Sequence, residues 1–227
     1  LDDCLKEGRS VQEGGAVYNF TGPQGFGIAN MADGLFAIRK LVYEEKKVSM
    51  EEFKEALAWN YDKGLDAQSA GDMTEMIMKA MQKAGKEADA STAAGLLKTF
   101  IGMKPGEQKT QRFKEIHDMI DEVPKFGNDI PEIDYFAREV AYTYSKPIQN
   151  YSNPRGGRFQ AGLYPVSANV PLGGQTGATP DGRYAHTPVA DGVSPSAGKD
   201  VKGPTAAATS VSRLDHFIVS NGTLFNQ

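Results

Sequence analysis

The strongest constraint on this chain is a change of rhythm at Asn153. Before it, apolar residues recur at helical spacing. After it the chain reads "NPRGGRFQAGLYPVSANVPLGGQTGATPDGR" from Asn153 to Arg183, and stays dense in Gly, Pro and small polar residues almost to its last residue. Such a composition cannot sustain a long helix, because Gly loses the most backbone freedom on ordering and Pro lacks a donor. It makes either a loose linker or tight turns held against something rigid. "GRFQAGLYPVSANV" reads as a strand, with Pro165 forcing an edge position or a bulge. "GATPDGRYA" and "VADGVSPSAGKDVKGP" are turn chemistry. "TAAATSVSRLDH" predicts a short helix, and "FIVSNGTLFNQ" a final strand interrupted at Asn221-Gly222.

The first two thirds read as helical. Ile28, Met31, Leu35, Ile38 and Val42 form one apolar stripe after the glycines of "GPQGFG". Ser49 and Glu52 make a capping box, with Val48 and Phe53 placed as a hydrophobic staple, for a helix ending near Trp59. Asp72 with Glu75 repeats the cap pattern, and Ser91 is the expected cap of "TAAGLLKTFIG". Phe113, Ile116 and Ile120 mark a further helix, with His117 expected at its surface. Pro131 suits the first turn of a long helix that buries Ile133, Phe136, Val140 and Tyr144 and is ended or kinked by Pro147.

A chain of 227 residues can bury a real core. Its net charge of -4 argues against nucleic acid as the main partner, since phosphate binding needs clustered cations. No apolar run reaches the roughly 20 residues of a membrane span. Cys4 is alone, so there is no disulfide framework, and a reducing cytoplasm is expected. Leu1 and Leu5 already sit in a helical pattern and "GTLFNQ" stops on a strand-like run, so a piece of a longer chain is expected.

The obvious chemistry motifs fail on spacing. Gly22, Gly25 and Gly27 run G-x-x-G-x-G, not the dinucleotide order, although open N–H groups at that helix start could hold an anion. His117, His186 and His216 have no partner at metal-ligand spacing. Cys4 has no adjacent base, and Met73, Met76, Met78 and Met81 read as adaptable core. In the Gly-rich third, Gly156 and Gly157 between Arg155 and Arg158 let the backbone bend sharply. A guanidinium there could bind a carboxylate or sulfonate, or serve as a structural ion-pair partner. Asp181 and Arg183 in "PDGR" are expected to stabilise their own turn.

Taken together, "GGAVYNFTGPQGFGIANMADGLFAIRKLVYEEKKVSMEE", "PKFGND", "NPRGGRFQAGLYPVSANVPLG", "TPDGR", "PVADGVSPSAGKDVKGPTA" and "SVSRLDH...NGTLFNQ" resemble the glycyl radical enzymes, in their pyruvate formate-lyase-like branch. The resemblance implies an α/β fold, a segment of a ten-stranded barrel. Its parts would be helical barrel wall at 1–64, extra helices at 65–123, and a helix, barrel strands and active-site loops at 124–227. It implies an oxygen-sensitive lyase in which a glycyl radical generates a cysteine thiyl that takes hydrogen from substrate. It implies no directly bound cofactor, a radical installed by an S-adenosylmethionine iron-sulfur activase as partner, and a homodimer. This chain carries neither the G-C-x-E loop nor the R-V-x-G-Y radical loop of that pattern, so no catalytic residue is assigned within it.

Four substrate-binding positions follow from the resemblance. Arg155 and Phe159 match positions that meet an anionic substrate head, and Tyr164 and Val166 match pocket-lining positions. On a regular strand Tyr164 and Val166 share a face opposite Phe159, so a bulge at Gly162 or Pro165 is needed for all to line one cavity. Cleavage of isethionate with sulfite release is the favoured activity, followed by glycerol or 1,2-propanediol dehydration and then formate acetyltransfer. A non-catalytic helical binding module and a nucleotide-binding enzyme are the readings from other classes.

Overall fold

The computed structural model describes residues 1–65, 67–87 and 89–226. The helices are α1 (Asp2–Glu7), α2 (Ile28–Ile38), α3 (Met50–Ala58), α4 (Ala67–Lys83), α5 (Ala90–Phe100), α6 (Glu107–Glu122), α7 (Pro131–Ile148), α8 (Asn169–Gly174) and α9 (Pro204–Ser212), with a π-helical turn at Arg39–Glu44. They divide into two compact units, Leu1–Asp33 with Pro124–Asn169 and Val189–Gln227, and Gly34–Val123 with Val170–Pro188. No described helix is long and apolar enough to cross a membrane.

The first unit is built on α7 and α9, which pack together. Pro131 opens α7 as expected, and Pro147 lies one residue before its end. The helix buries Ile133, Asp134, Ala137, Ala141 and Ser145, a smaller-residue face than the expected Phe136–Val140–Tyr144 line. Alanine and serine let α9 approach closely, and Arg213 at the end of α9 bonds both Asp129 and the fully buried Asp134. Burial pushes the Asp134 carboxyl up, while bonds from Ser210 and Arg213 oppose that. Asp33 of α2 holds the "PKFGND" loop, its Oδ1 accepting from the Phe126 amide at 2.8 Å. Asn128 ties the same loop to the carbonyl of Lys199 at 2.7 Å.

The expected strands are not formed as such among the described residues; they are replaced by a ribbon of single bridges. Residues 158–163 run between residues 21–25 on one side and 221–224 on the other. Thr21 N donates to Arg158 O at 3.0 Å, Gln160 N to Thr21 O at 2.9 Å, Gly162 N to Pro23 O at 3.0 Å and Gly25 N to Gly162 O at 2.8 Å. On the other edge Asn221 N donates to Ala161 O, Leu163 N to Gly222 O and Leu224 N to Leu163 O, all within 3.0 Å. Pro23 lacks a donor and Gly222 has φ 103°, so the pairing cannot extend into a regular ladder.

In the second unit, α3 has the predicted cap. Ser49 Oγ accepts from the Glu52 amide at 3.1 Å and Glu52 accepts from the Ser49 amide at 3.0 Å, and Val48 and Phe53 are both buried. Helix α6 docks on α3 through Arg112–Glu52 and Lys109–Glu55 pairs. Its Phe113, Ile116 and Ile120 are buried, and so is His117, against expectation. His117 stacks on Tyr184 at 4.6 Å, meets Tyr61 edge-on and bonds the Gly182 carbonyl at 2.8 Å. A histidine among acids on a helix looks exposed in sequence, and only the incoming 182–184 turn covers it.

Three further expectations fail for local reasons. On α2 and its π extension, Met31 and Leu35 are exposed, and Ala29, Ala32, Phe36, Ala37 and Leu41 are buried instead. Four-residue spacing marks that second line equally well, and its alanines permit closer packing. Asp72 and Glu75 lie inside α4, which starts at Ala67, and Asp89 rather than Ser91 caps α5 by accepting from the Thr92 amide at 2.7 Å. The α4–α5 excursion is pinched at its base by Leu65 N to Met103 O and Gly102 N to Leu65 O, both 2.9 Å.

The Ser49 box gives a measurable consequence. Ser49→Ala should lower the unfolding free energy by about 1 kcal/mol near neutral pH. The Ser49 amide holds the Glu52 carboxyl below its usual range, assisted by Arg112 and opposed by burial. A depressed folded-state pKa stabilises above the unfolded value of about 4.3 and the gain is lost as pH falls through the folded value. Thermal melts should therefore show the deficit of a Glu52→Ala variant narrowing in acid, and a deficit constant down to about pH 3 would contradict the box's role.

Candidate functional site

The loop that opens the glycine-rich third is organised by one side chain. Asn153 is buried, and its Oδ1 accepts from the Arg155 and Gly157 amides, each at 2.9 Å. Its Nδ2 donates to the Asn19 carbonyl at 2.5 Å and to Thr21 Oγ1 at 3.1 Å. The main chain closes the loop with Asn153 N on Gly157 O at 2.7 Å. The two glycines are required for different reasons. Gly156 has φ 83°, and a Cβ on Gly157 would lie 2.2 Å from the Asn19 carbonyl oxygen. The sharp bend expected at Gly156-Gly157 is therefore present, and a side chain three residues upstream of Gly156 sets it.

The predicted site residues sit around this loop and the ribbon. Arg155 is half-buried, with Nη2 3.5 Å from Thr21 Oγ1 and its Nε buried without a partner. No carboxylate among the described residues pairs with it, so the ion-pair alternative is not what holds it. Phe159 meets the Tyr151 ring edge-on at 6.4 Å. Tyr164 is half-buried, its hydroxyl accepting from Asn221 Nδ2 at 2.7 Å. Val166 is 73% exposed with φ 60°, a left-handed conformation that a β-branched residue rarely tolerates. The shared strand face expected for Tyr164 and Val166 does not exist. Ribbon pairing stops at Leu163, and Ala168 N closes a turn onto Pro165 O at 2.9 Å. Pro165 thus ends the alternation by a turn rather than resetting it by a bulge.

Asn153 and Asn221 are the organising residues that motif reading missed. The signal was present at the first, as an Asn preceding Pro with Gly-Gly beyond it, a pattern suited to a side chain closing its own turn. Asn221 carried no local signal beyond its Asn-Gly turn character.

Other candidates resolve as structural. Gly25 and Gly27 spend their amides on the Gly162 and Ala190 carbonyls, which leaves them no free donors for a phosphate. Arg183 grips its own loop, bonding the Thr187 and Tyr184 carbonyls at 2.6 and 3.1 Å and Thr179 Oγ1 at 3.1 Å. Thr179 Oγ1 bonds Asp181 at 2.5 Å, so "PDGR" does stabilise its own turn. His186 and His216 each bond a backbone carbonyl, at 2.7 and 2.9 Å. Among the described residues no three His, Cys, Asp or Glu side chains are grouped to hold a metal.

A family model described as pyruvate formate lyase-like matches residues 1–173, and the chain belongs to that family. A solved structure from Roseburia inulinivorans, concerned with 1,2-propanediol dehydration, is 59% identical over the whole chain with a TM-score of 0.93. The B12-independent glycerol dehydratase from Clostridium butyricum, with glycerol bound, is 44% identical over the whole chain with a TM-score of 0.70. The probable dehydratase YbiW of Escherichia coli is 34% identical over the whole chain, whereas the isethionate sulfite-lyase of Oleidesulfovibrio alaskensis is 30% identical over 81% of it. The chain spans 27%, 23%, 23% and 16% of these relatives respectively, about a quarter or less of each.

The Asn153 loop can be tested directly. Asn153→Ala removes four bonds from a buried loop and should cost about 2–4 kcal/mol. It should also release the Arg155 and Gly157 amides to fast hydrogen exchange. Exchange at those two amides unchanged by the substitution would contradict the assignment.

Proposed function

We propose that the whole protein is a glycyl radical dehydratase acting on a small vicinal diol, 1,2-propanediol or glycerol, and that this chain forms part of its barrel and active-site wall. The observation that carries the reading is the 59% identity over the full chain to the Roseburia structure. The isethionate reading rests on a cation in "RGGRF", at Arg155, for a sulfonate and on the extra helices at 65–123. It is weakened by the lower identity to the sulfite-lyase and by the setting of Arg155, folded against Thr21 with its Nε buried.

In this reaction a cysteine thiyl takes a hydrogen atom from a hydroxyl-bearing carbon. The hydroxyl on that carbon gives up its proton as its oxygen becomes a carbonyl, the neighbouring hydroxyl takes up a proton and leaves as water, and the resulting carbonyl-bearing radical regains a hydrogen atom from the cysteine thiol to give an aldehyde and restore the thiyl. The radical-bearing glycine and the thiyl cysteine lie outside the residues of this chain, and an iron-sulfur activase using S-adenosylmethionine installs the radical. The part proposed for this chain is containment and recognition. Tyr164 offers a hydroxyl to the diol, Val166 and Phe159 offer apolar walls, and Arg155, on the 153–157 loop, offers a cation. A carbon radical must be kept from water and oxygen, and a ribbon whose amides are paired on both edges suits a sealed wall better than a linker would.

The test is product analysis with the full-length, activated enzyme under anaerobic conditions. Aldehyde should form from 1,2-propanediol or glycerol, with no sulfite from isethionate. Sulfite release without diol turnover would overturn the reading.

A further inference from the structure

We infer that Asn221 is a positioning residue that makes the Tyr164 hydroxyl an obligate hydrogen-bond donor to the substrate. The inference rests on the reading of Tyr164 as a pocket residue. A phenol has one proton to give, and its oxygen can also accept. Asn221 Nδ2 donates to that oxygen at 2.7 Å, so the Tyr164 proton must point elsewhere. In water or beside a free rotor a tyrosine hydroxyl chooses its role, whereas here a fixed donor has already taken the acceptor side.

Asn221 is held at its backbone and confined at its side chain. Its own amide donates to Ala161 O at 3.0 Å, and the next residue's carbonyl, Gly222 O, accepts from Leu163 N at 2.9 Å. Its side chain is walled by glycines. A Cβ on Gly22 would lie 2.0 Å from Asn221 Nδ2, and one on Gly162 would lie 2.4 Å from Tyr164 Cε1 and 3.1 Å from Asn221 Nδ2. Any larger residue at Gly22 or Gly162 would push the amide or the ring aside. The Tyr144 ring closes the same cluster against Gly25, where a Cβ would lie 2.7 Å from Tyr144 Cε1. Its hydroxyl is buried without a partner, and its pKa is raised by burial and then by the charge Tyr164 would carry if ionised. Two phenols therefore converge here with one amide between glycines. Such an arrangement serves directional hydrogen bonding, since tight packing alone would be met more simply by apolar residues.

In a diol dehydratase an obligate donor has a clear use. A proton aimed at a substrate oxygen orients the diol and supports the hydroxyl that departs, and donors set beforehand need no reorganisation during the reaction.

The experiment uses the full-length, activated enzyme with 1,2-propanediol, and the glycyl radical spin content as the control for folding and activation. Asn221→Asp keeps the shape but replaces the donor by an acceptor, so the Tyr164 proton turns inward. It should lower kcat/KM by about tenfold to a hundredfold, as Tyr164→Phe should, and the double variant should be no worse than either single one. If Asn221→Asp loses the radical, Asn221→Ala gives the same test: it should lower kcat/KM alone and have no effect in the Tyr164→Phe background. Should Tyr164→Phe reduce kcat/KM while the Asn221 variants do not, or should their effects multiply, the inference falls and the pocket reading stands. Unchanged turnover in Tyr164→Phe would remove both.

Discussion

The structure depends on backbone pairing along both edges of residues 158–163. This short filament accepts from Thr21 and Gly25 on one side and exchanges bonds with residues 221–224 on the other. Three sequence-distant segments are thereby held at backbone distance without one regular strand among the described residues. Buried amide groups must find partners, and here they do so across loops. Glycine makes it possible where the chains come closest. A Cβ on Gly192 would lie 2.4 Å from Leu224 O and 2.8 Å from Leu163 O, so the 189–196 loop can press on the ribbon only at a residue without a side chain. The same need explains Gly157 against Asn19 and Gly22 against Asn221.

That constraint links fold to chemistry in the family to which the chain belongs. The main chain here fixes the directions of the side chains it carries. Asn153 orders the loop bearing Arg155, and Asn221 meets Tyr164. Val166 adopts left-handed backbone directly after Pro165, a conformation kept only where the surroundings impose it. Both of these residues are asparagines, whose amide can donate and accept at once and carries no charge to be compensated in a buried or half-buried setting.

Much of the helical framework was legible in the sequence. The Ser49–Glu52 box, Pro131 at a helix start and the buried Phe113–Ile116–Ile120 line follow from local rules that tertiary context did not override. The failures have physical causes. The buried faces of α2 and α7 are alanine-rich, and hydrophobic spacing points first to the larger residues, of which Met31 and Leu35 are exposed. Asp72 matches a cap pattern but is interior to α4, because cap residues are frequent and only context selects among them. The strand reading of 157–170 captured extension and pairing as far as Leu163 but missed that Pro23, Pro165 and Gly222 limit the pairing to single bridges. The family was recognisable by motif, while the geometry around the ribbon was not, since Asn153–Asn19 and Asn221–Tyr164 join residues 134 and 57 positions apart.

The claim that the glycine-rich third is rigid lining is tested most directly by amide hydrogen exchange on the full-length protein, read at Gly157, Gly162, Leu163 and Leu224. The account predicts slow exchange at all four, comparable to the interior of α7, because Gly162, Leu163 and Leu224 each donate to a main-chain carbonyl of the ribbon and Gly157 to Asn153 Oδ1. Exchange at the rate of an unstructured peptide at Gly162 and Leu163, with α7 still protected, would contradict it.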